Sequence, residues 1–432
     1  MQHGKLLLGH TFEVSGDPFA THWRDVVRIN TSGGVLVRDG LIAALGDAAA
    51  LKRAHPQAEA TDYGQHLICP GFVDAHVHYP QTAMIASWGK QLIDWLNTYT
   101  FPEEIRFADP AYAERIAARY LDLALAHGTT SMCSFATIHP VSVDAFFQAA
   151  ERRGMRSVAG KTCMDRNAPD GLCDTAQSAY DQSASLLSKW QGRGRAQYAI
   201  TPRFSPTSTP GQLDALGALW AAHPECLMQT HLSEQVPEID WVRSLYPQAR
   251  DYLETYEMHG LLGERSVFGH AIHLEPREVD RIVETGAALV HCPTSNSFIG
   301  SGLMDLAGLS ARGVPIGLAT DTGGGSSFSM LRTMAAAYEI AQLRGMALHP
   351  AQLMYLATAG SARSLHLNDR IGRLAIGMEA DLVVLDLAST SAIAQRAAQA
   401  DTVWEALFPT IMMGDDRAVA DVWIAGNRHE PT

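Results

Sequence analysis

The sequence has 432 residues, of which 47% are apolar and 18% are charged, a composition typical of a soluble globular protein with two or three domains' worth of chain. Disorder is excluded because a disordered chain contains far fewer apolar residues. The 33 basic residues are outnumbered by 46 acidic residues, and this net charge of −13 without a basic cluster disfavours nucleic acid and anionic membranes as partners.

The N-terminal segment, 1–68, contains short apolar runs separated by glycine turns, and similar runs recur in 378–432. Its apolar stretch is too short for a signal peptide, and no run in the sequence reaches the ~18 apolar residues of a membrane span. Neither end has enough apolar length to fold alone. We therefore expect 1–68 and 370–432 to pair in a small β-sandwich domain beside a larger domain formed by 69–369.

Between the two ends, short apolar runs alternate with segments of helical period, of which 109–127 is the clearest. Eight runs are predicted to be strands: 72–78, 129–137, 157–164, 197–205, 226–234, 266–274, 288–295 and 315–321. Strands alternating with helices predict an α/β fold, a (β/α)8 TIM-like barrel with a parallel sheet. A doubly wound open sheet is the alternative, although no G-x-G-x-x-G motif follows a first strand.

Four residues at predicted strand ends suggest a metal centre. His76 and His78 form an H-x-H pair whose side chains point the same way from a strand, although two surface histidines are the simpler interpretation of that pair alone. His231 ends the fifth strand and Asp321 ends the eighth, and barrel enzymes place catalytic groups at these ends. Three imidazoles and a carboxylate suit Zn²⁺ or Fe²⁺ with an open position for water.

A single metal per subunit is favoured, because the fourth strand offers Arg203 and no lysine to bridge a second ion. Zinc lowers the pKa of a bound water to about 7, and the reaction then needs groups that move its protons. Asp321 is placed to take a proton and Glu234 to return one, although Glu234 could instead be a helix N-terminal carboxylate. His270 could hold the attacking group or be a core histidine, and His273 and His291 are left unassigned. Trp88 could cover the mouth of the site, although any tryptophan on a surface helix would look the same.

The cysteines and the missing signal segment together predict a cytoplasmic protein. The six cysteines contain no C-x-x-C pair, so a structural zinc finger is not expected. Four of them lie in apolar, strand-like runs, where a buried and reduced thiol is the usual arrangement. Reduced thiols are typical of the cytosol.

The strings PGFVDAHVH, THLSE, FGHAIH and GLATD resemble the metal-dependent amidohydrolase superfamily, in its single-metal deaminase branch. The rarer strings HYPQ, WLNTYTFPEE and TPRFS are similar to the guanine deaminase family, and the resemblance covers roughly 65–430. It implies hydrolytic deamination of guanine to xanthine and ammonia by a zinc-activated water, in a homodimer. The implied zinc ligands are His76, His78, His231 and Asp321.

The resemblance also implies substrate contacts. Glu234 becomes the proton shuttle to the ring, His270 lies beside the reacting carbon, and Gln81, Arg203 and Phe204 read the base. The full set of implied substrate contacts is His78, Gln81, Arg203, Phe204, His231, Glu234, His270 and Asp321. Arginine donors suit the guanine acceptors, a glutamine amide both donates and accepts, and a phenyl ring can face a purine.

Each base-reading residue also has a simpler interpretation: a solvated charge for Arg203, a loop cap for Gln81 and core packing for Phe204. Two other functions remain open for the chain. The same chemistry could act on another heterocycle, such as a pterin, a triazine or a different purine, because specificity depends on pocket loops. The other possibility is not an enzyme: a barrel that has lost catalysis and serves as a scaffold. Measuring the bound metal distinguishes this scaffold from a metal-dependent enzyme.

Overall fold

The computed structural model describes residues 4–88 and 92–429. Within them, the strands in chain order are β1 Lys5–Val14, β2 Val27–Arg38, β3 Leu41–Asp47, β4 Glu59–Pro70, β5 Phe72–His78, β6 Thr129–Phe135, β7 Arg156–Gly160, β8 Thr162–Cys163, β9 Ala196–Pro202, β10 Leu227–Leu232, β11 Ser266–His270, β12 Ala288–His291, β13 Ile316–Leu318, β14 Leu382–Leu385, β15 Val419–Ile424 and β16 Asn427–Arg428. They form two hydrogen-bonded sheets.

The helices fall between these strands. The α-helices of eight or more residues are Pro110–Ala126, Pro140–Arg153, Ala176–Trp190, Pro210–Ala222, Val236–Leu245, Pro276–Thr285, Met330–Leu343 and Val403–Met413. The shorter α-helices are Trp23–Val26, Ala48–Ala54, Leu92–Trp95, Phe101–Ile105, Glu254–Glu257, Pro293–Phe298, Leu306–Ala311, Pro350–Tyr355, Ser361–Ser364 and Ser391–Ala397. The 3₁₀ and π turns are Tyr79–Met84, Leu96–Thr100, Arg106–Ala108, Asp170–Leu172, Ser205–Thr207, Leu356–Gly360 and Asp416–Ala418.

The predicted barrel is confirmed. Its strands run in the order β5-β6-β7-β9-β10-β11-β12-β13, and β8 pairs with β9 beside this path. The ring is joined between its last and first strands, because the Asp321 N–H donates to the His76 carbonyl and the His78 N–H donates to the Thr322 carbonyl, each at 3.1 Å. The C-terminal ends of β5 and β13 therefore lie together, which is the edge where the predicted metal ligands occur.

The two chain ends pair with each other, as the sequence predicts. The second sheet has the order β16-β15-β14-β4-β1-β2-β3, and β14 from the C-terminal part pairs antiparallel with β4 from the N-terminal part. Alternating residues of this sheet enter two separate apolar clusters: Leu7 and Val35 belong to one, and Leu6 and Leu36 to the other. Apolar side chains thus cover both faces of the sheet. Because both chain ends contribute strands to this sheet, neither end needs enough apolar length to fold alone.

The chain divides into two compact units: one formed by Met1–Asp74, Asp122–Ser131 and Phe328–Thr432, the other by Ala75–Leu121 and Met132–Ser327. The domain boundaries predicted from the sequence, with the catalytic barrel at 69–369, stay a prediction. All six cysteines are free thiols, and five of them are buried. Of the helices in the described ranges, none combines the length and apolar character that crossing a membrane requires.

Candidate active site

The four predicted metal ligands lie together at the C-terminal edge of the barrel. His76 and His78 are two residues apart on β5. His231 is the penultimate residue of β10, and Asp321 follows β13. The Nε2 atoms of His78 and His231 are 3.1 Å apart. Asp321 Oδ1 lies 3.6 Å from His76 Nε2 and 3.7 Å from His78 Nε2. The three histidines each contribute one ring nitrogen to a group in which all three nitrogens lie within 4.8 Å of one another.

The protonation of these imidazoles suits a transition metal. Burial, and after it the neighbouring imidazoles, lowers the pKa of His76, His78 and His231 well below the usual histidine value, so the rings are neutral. His231 Nδ1 donates to the Arg203 carbonyl at 2.7 Å, which leaves the Nε2 lone pair directed into the cluster. Buried His76 Nε2 has no hydrogen-bond partner among the described residues. Neutral imidazoles converging on one carboxylate are a donor set that fits Zn²⁺ or Fe²⁺.

Glu234 is buried beside this cluster. Its Oε1 accepts a hydrogen bond from Ser301 Oγ at 2.8 Å, and its Oε2 lies 3.5 Å from His270 Nε2. Burial raises the pKa of Glu234 to about 7, so the carboxyl exchanges protons near neutral pH. The backbone N–H groups at the start of helix Val236–Leu245 donate instead to Glu238, including the N–H of Glu234 itself at 3.0 Å. The helix-cap role considered for Glu234 therefore belongs to Glu238.

His270 is held by a partner that the sequence analysis did not identify. Its Nδ1 lies 2.8 Å from Asn296 Oδ1, which can only accept, so the imidazole donates there. Its Nε2 lies 3.8 Å from Asp321 Oδ2. His270 and Asp321 both adopt left-handed backbone conformations, with φ of 68° and 47°. Such strained backbone at non-glycine residues clusters at functional sites.

A cavity opens over the cluster. All eight predicted substrate contacts line it, and the residues added to them are Leu92, Trp95, Leu96, Ile299 and Gly324. His76 does not line the cavity. Trp88, considered as a possible cover for the site, has 72% of its surface exposed, whereas Trp95 is 2% exposed and forms part of the cavity wall. The cavity therefore has a polar side at the cluster and an apolar wall.

Glu104 is a buried residue beside the cavity that sequence reasoning did not single out. It lies in helix Phe101–Ile105 and is 1% exposed. Gln81 Nε2 donates to its Oε1 at 2.9 Å, and Arg203 Nη1 donates to its Oε2 at 2.6 Å. A signal existed, since Glu104 ends the string WLNTYTFPEE, but the sequence does not tell whether Glu103 or Glu104 faces inward. The buried carboxylate links the two polar residues of the cavity wall.

This arrangement defines a metal-dependent hydrolase of the barrel type, and the chain belongs to the amidohydrolase family, whose profile matches residues 67–428. It is 43% identical over 401 residues to guanine deaminase of Escherichia coli (strain K12), covering 93% of this chain and 91% of that protein. The solved structure of E. coli guanine deaminase matches with a TM-score of 0.96, 41% identity and 99% of each chain covered. A guanine deaminase from C. acetobutylicum, solved with guanine in its active site, matches with a TM-score of 0.90, 28% identity, and 98% and 99% coverage.

Proposed function

We propose that this protein hydrolyses guanine to xanthine and ammonia. The observation that carries the proposal is the buried histidine–carboxylate cluster beside a cavity, with a proton-exchanging carboxyl on one side of the cavity and a glutamine–arginine pair on another. The similarity to guanine deaminases, including one that holds guanine, supports the same substrate. A catalytically inactive scaffold would have no need for neutral, converging imidazoles beside a carboxyl whose burial keeps it protonatable at neutral pH.

His76, His78, His231 and Asp321 would hold the metal, which we propose to be one Zn²⁺ per subunit, with Fe²⁺ as the other candidate. When bound, such an ion polarises water so that a nucleophile is available at neutral pH. The donor set fits because its imidazoles are neutral and one buried ring nitrogen, His76 Nε2, lacks a partner among the described residues.

The chain's own groups then manage the protons. Water adds to C2 of guanine, and Asp321 accepts the proton that this water gives up. Protonated Glu234 donates to the adjacent ring nitrogen, so the negative charge that develops on the ring is neutralised. The proton held by Asp321 passes to the 2-amino group, the C2–N bond breaks and ammonia leaves. The proton remaining on the C2 hydroxyl returns to Glu234 as the carbonyl of xanthine forms. His270, oriented by Asn296, holds the reacting oxygen by a hydrogen bond from a position 3.8 Å from Asp321.

The direct test is ammonia release from a panel of heterocycles. Purified protein with its metal is expected to convert guanine to equal amounts of xanthine and ammonia, with kcat/KM in the range of about 10⁴–10⁸ M⁻¹s⁻¹ that is usual for enzymes. Adenine, a pterin and an aminotriazine are expected to react far more slowly. If a pterin or a triazine reacts fastest, that compound rather than guanine is the substrate. If no compound of the panel reacts with metal present, the scaffold function is favoured.

Replacing Gly323 with alanine is expected to lower guanine turnover about 100-fold, because small displacements of positioning groups are costly in catalysis. Gly323 has φ of 120°, and a Cβ there would lie 1.9 Å from Gln81 Oε1 and 2.7 Å from Gln81 Cβ. The matched control is Gly313→Ala, at a glycine with φ of 75° and nothing within 4 Å of the added carbon. Steady-state kinetics decide the matter: equal losses in the two variants would mean that backbone strain alone is responsible.

The homodimer and the cytoplasmic location remain predictions for this chain. Sedimentation equilibrium tests the first, since a dimer has twice the 46.8 kDa mass of the chain. A concentration-independent single-chain mass would contradict it.

A further inference from the structure

Glu104 uses both oxygens of one buried carboxylate to bind two polar residues that line the cavity. Gln81 and Arg203 each donate to a separate oxygen, at 2.9 and 2.6 Å. A carboxylate accepts and does not donate, so an ionised Glu104 forces the amide of Gln81 to turn its nitrogen toward the carboxylate. The opposite orientation would bring two acceptors into contact. The orientation of this amide is therefore fixed by its partner.

The consequence for Gln81 is a fixed acceptor. Its Oε1 is buried and has no hydrogen-bond partner within the described part of the chain, and Gln81 lines the cavity. Gly323 lies close to this side chain, since a Cβ added there would fall 1.9 Å from Gln81 Oε1. An unpartnered buried acceptor costs free energy unless a ligand donates to it.

The consequence for Arg203 is a fixed donor beside that acceptor. Its guanidinium lies 5.5 Å from the centre of the Phe101 ring, and Phe101 is on the same short helix as Glu104. A guanidinium has five N–H donors, so the bond to Glu104 leaves others for a ligand in the cavity that Arg203 lines. Arg203 and Gln81 thus present a donor and an acceptor side by side, bound to one carboxylate.

We infer that Glu104 is a positioning residue that sets this donor–acceptor pair to match the lactam edge of a 6-oxopurine. The lactam edge has the reverse pattern, an accepting O6 next to a donating N1–H. The inference rests on the proposed deamination of guanine and adds the residue that selects the oxo form of the ring. Glu104 touches neither the substrate nor the metal ligands in this role, because it acts through Gln81 and Arg203.

The probe that isolates the lactam edge is 2-aminopurine. It carries the same 2-amino group at the same carbon as guanine but lacks both O6 and the N1–H. Wild-type protein is expected to prefer guanine by at least about 100-fold in kcat/KM, since sites built to hydrogen-bond a substrate discriminate strongly against analogues lacking those groups. The ratio of the two kcat/KM values is the readout, because a merely structural defect lowers both values together.

Glu104→Gln is expected to reduce this ratio at least about tenfold. Its single carbonyl can accept from only one of the two donors, and its amino group faces the Gln81 amide, which is then free to turn its donor into the cavity. Glu104→Asp keeps the charge but is too short to span both partners, so a smaller fall of at least about threefold is expected. Melting temperature and bound metal are recorded for each variant to establish that it is folded and loaded.

The matched control is Glu103→Gln, the same substitution one residue earlier. Glu103 accepts from Arg106 Nη1 at 2.9 Å and from the Tyr112 hydroxyl, not from the cavity wall. Its ratio is expected to stay at the wild-type value. An unchanged ratio in folded Glu104→Gln or Glu104→Asp overturns the positioning role, as does a wild-type protein that turns over both purines equally. A wild-type protein that releases no ammonia from guanine instead overturns the proposed function.

Discussion

Guanine turnover by Glu234→Gln is expected to fall about 10²- to 10⁴-fold, the range over which a general acid or base contributes to catalysis. Glutamine keeps the shape of the side chain and can still accept from Ser301 Oγ, which now bonds to Glu234 Oε1 at 2.8 Å. It has no carboxyl proton to give to the ring nitrogen. Because burial raises the pKa of Glu234 to about 7, protonated and ionised forms coexist at neutral pH in the wild type, and both are lost together.

The expected signature is a loss in kcat with the metal content unchanged, since Glu234 is not among the four proposed ligands. Glu278→Gln is the matched control: Glu278 is also buried, and burial raises the pKa of its carboxyl to about 7. It accepts from the backbone N–H groups of Leu253 and Glu275, away from the cavity, so its variant is expected to retain turnover. Activity of Glu234→Gln close to wild type would remove Glu234 from the proton path.

The placement of the four proposed metal ligands could be predicted from sequence because strands impose a simple rule. His76 and His78 differ by two residues on β5 and therefore point the same way, and parallel strands bring His231 and Asp321 to the same edge. Most of the predicted strands nevertheless extend beyond the observed C-terminal ends, whereas 72–78 coincides with β5. Ser233, His270 and Asp321 take left-handed conformations at these ends, which an apolar pattern does not reveal.

The contacts that orient the cluster could not be predicted, because they come from loops and short helices. Asn296 reaches His270 from helix Pro293–Phe298, and Glu104 reaches Arg203 across 99 residues of sequence. No period relates such residues, and the choice between Glu103 and Glu104 depends on where a short helix begins. The sequence likewise does not indicate which tryptophan faces the cavity, and it is Trp95 rather than Trp88 that lines it. Sequence patterns thus locate groups on regular strands and miss those that support them.

Loss of the metal together with nearly all activity is expected for His76→Ala. His76 is 1% exposed, and its Nε2, which has no hydrogen-bond partner among the described residues, lies 3.6 Å from Asp321 Oδ1. Three ligands would remain, and the lower affinity should reduce the bound metal from one per chain to a small fraction after dialysis. Turnover is expected to fall more than about 10³-fold, because the nucleophile and its orientation are lost together.

A thermal readout separates metal binding from the chemistry. An ion that binds only the folded state raises its stability, so the melting temperature of wild-type protein stripped with a chelator is expected to rise when Zn²⁺ is restored. His76→Ala should show little of this rise. His259→Ala is the control, because it also removes a largely buried histidine. The His259 side chain is 8% exposed, and its ring forms a hydrogen bond of 2.7 Å with Asp214 rather than a contact with the proposed metal ligands. If His76→Ala keeps one tightly bound ion and the full thermal shift, the ion is held elsewhere, and the assignment of His76 and its neighbours as ligands is wrong.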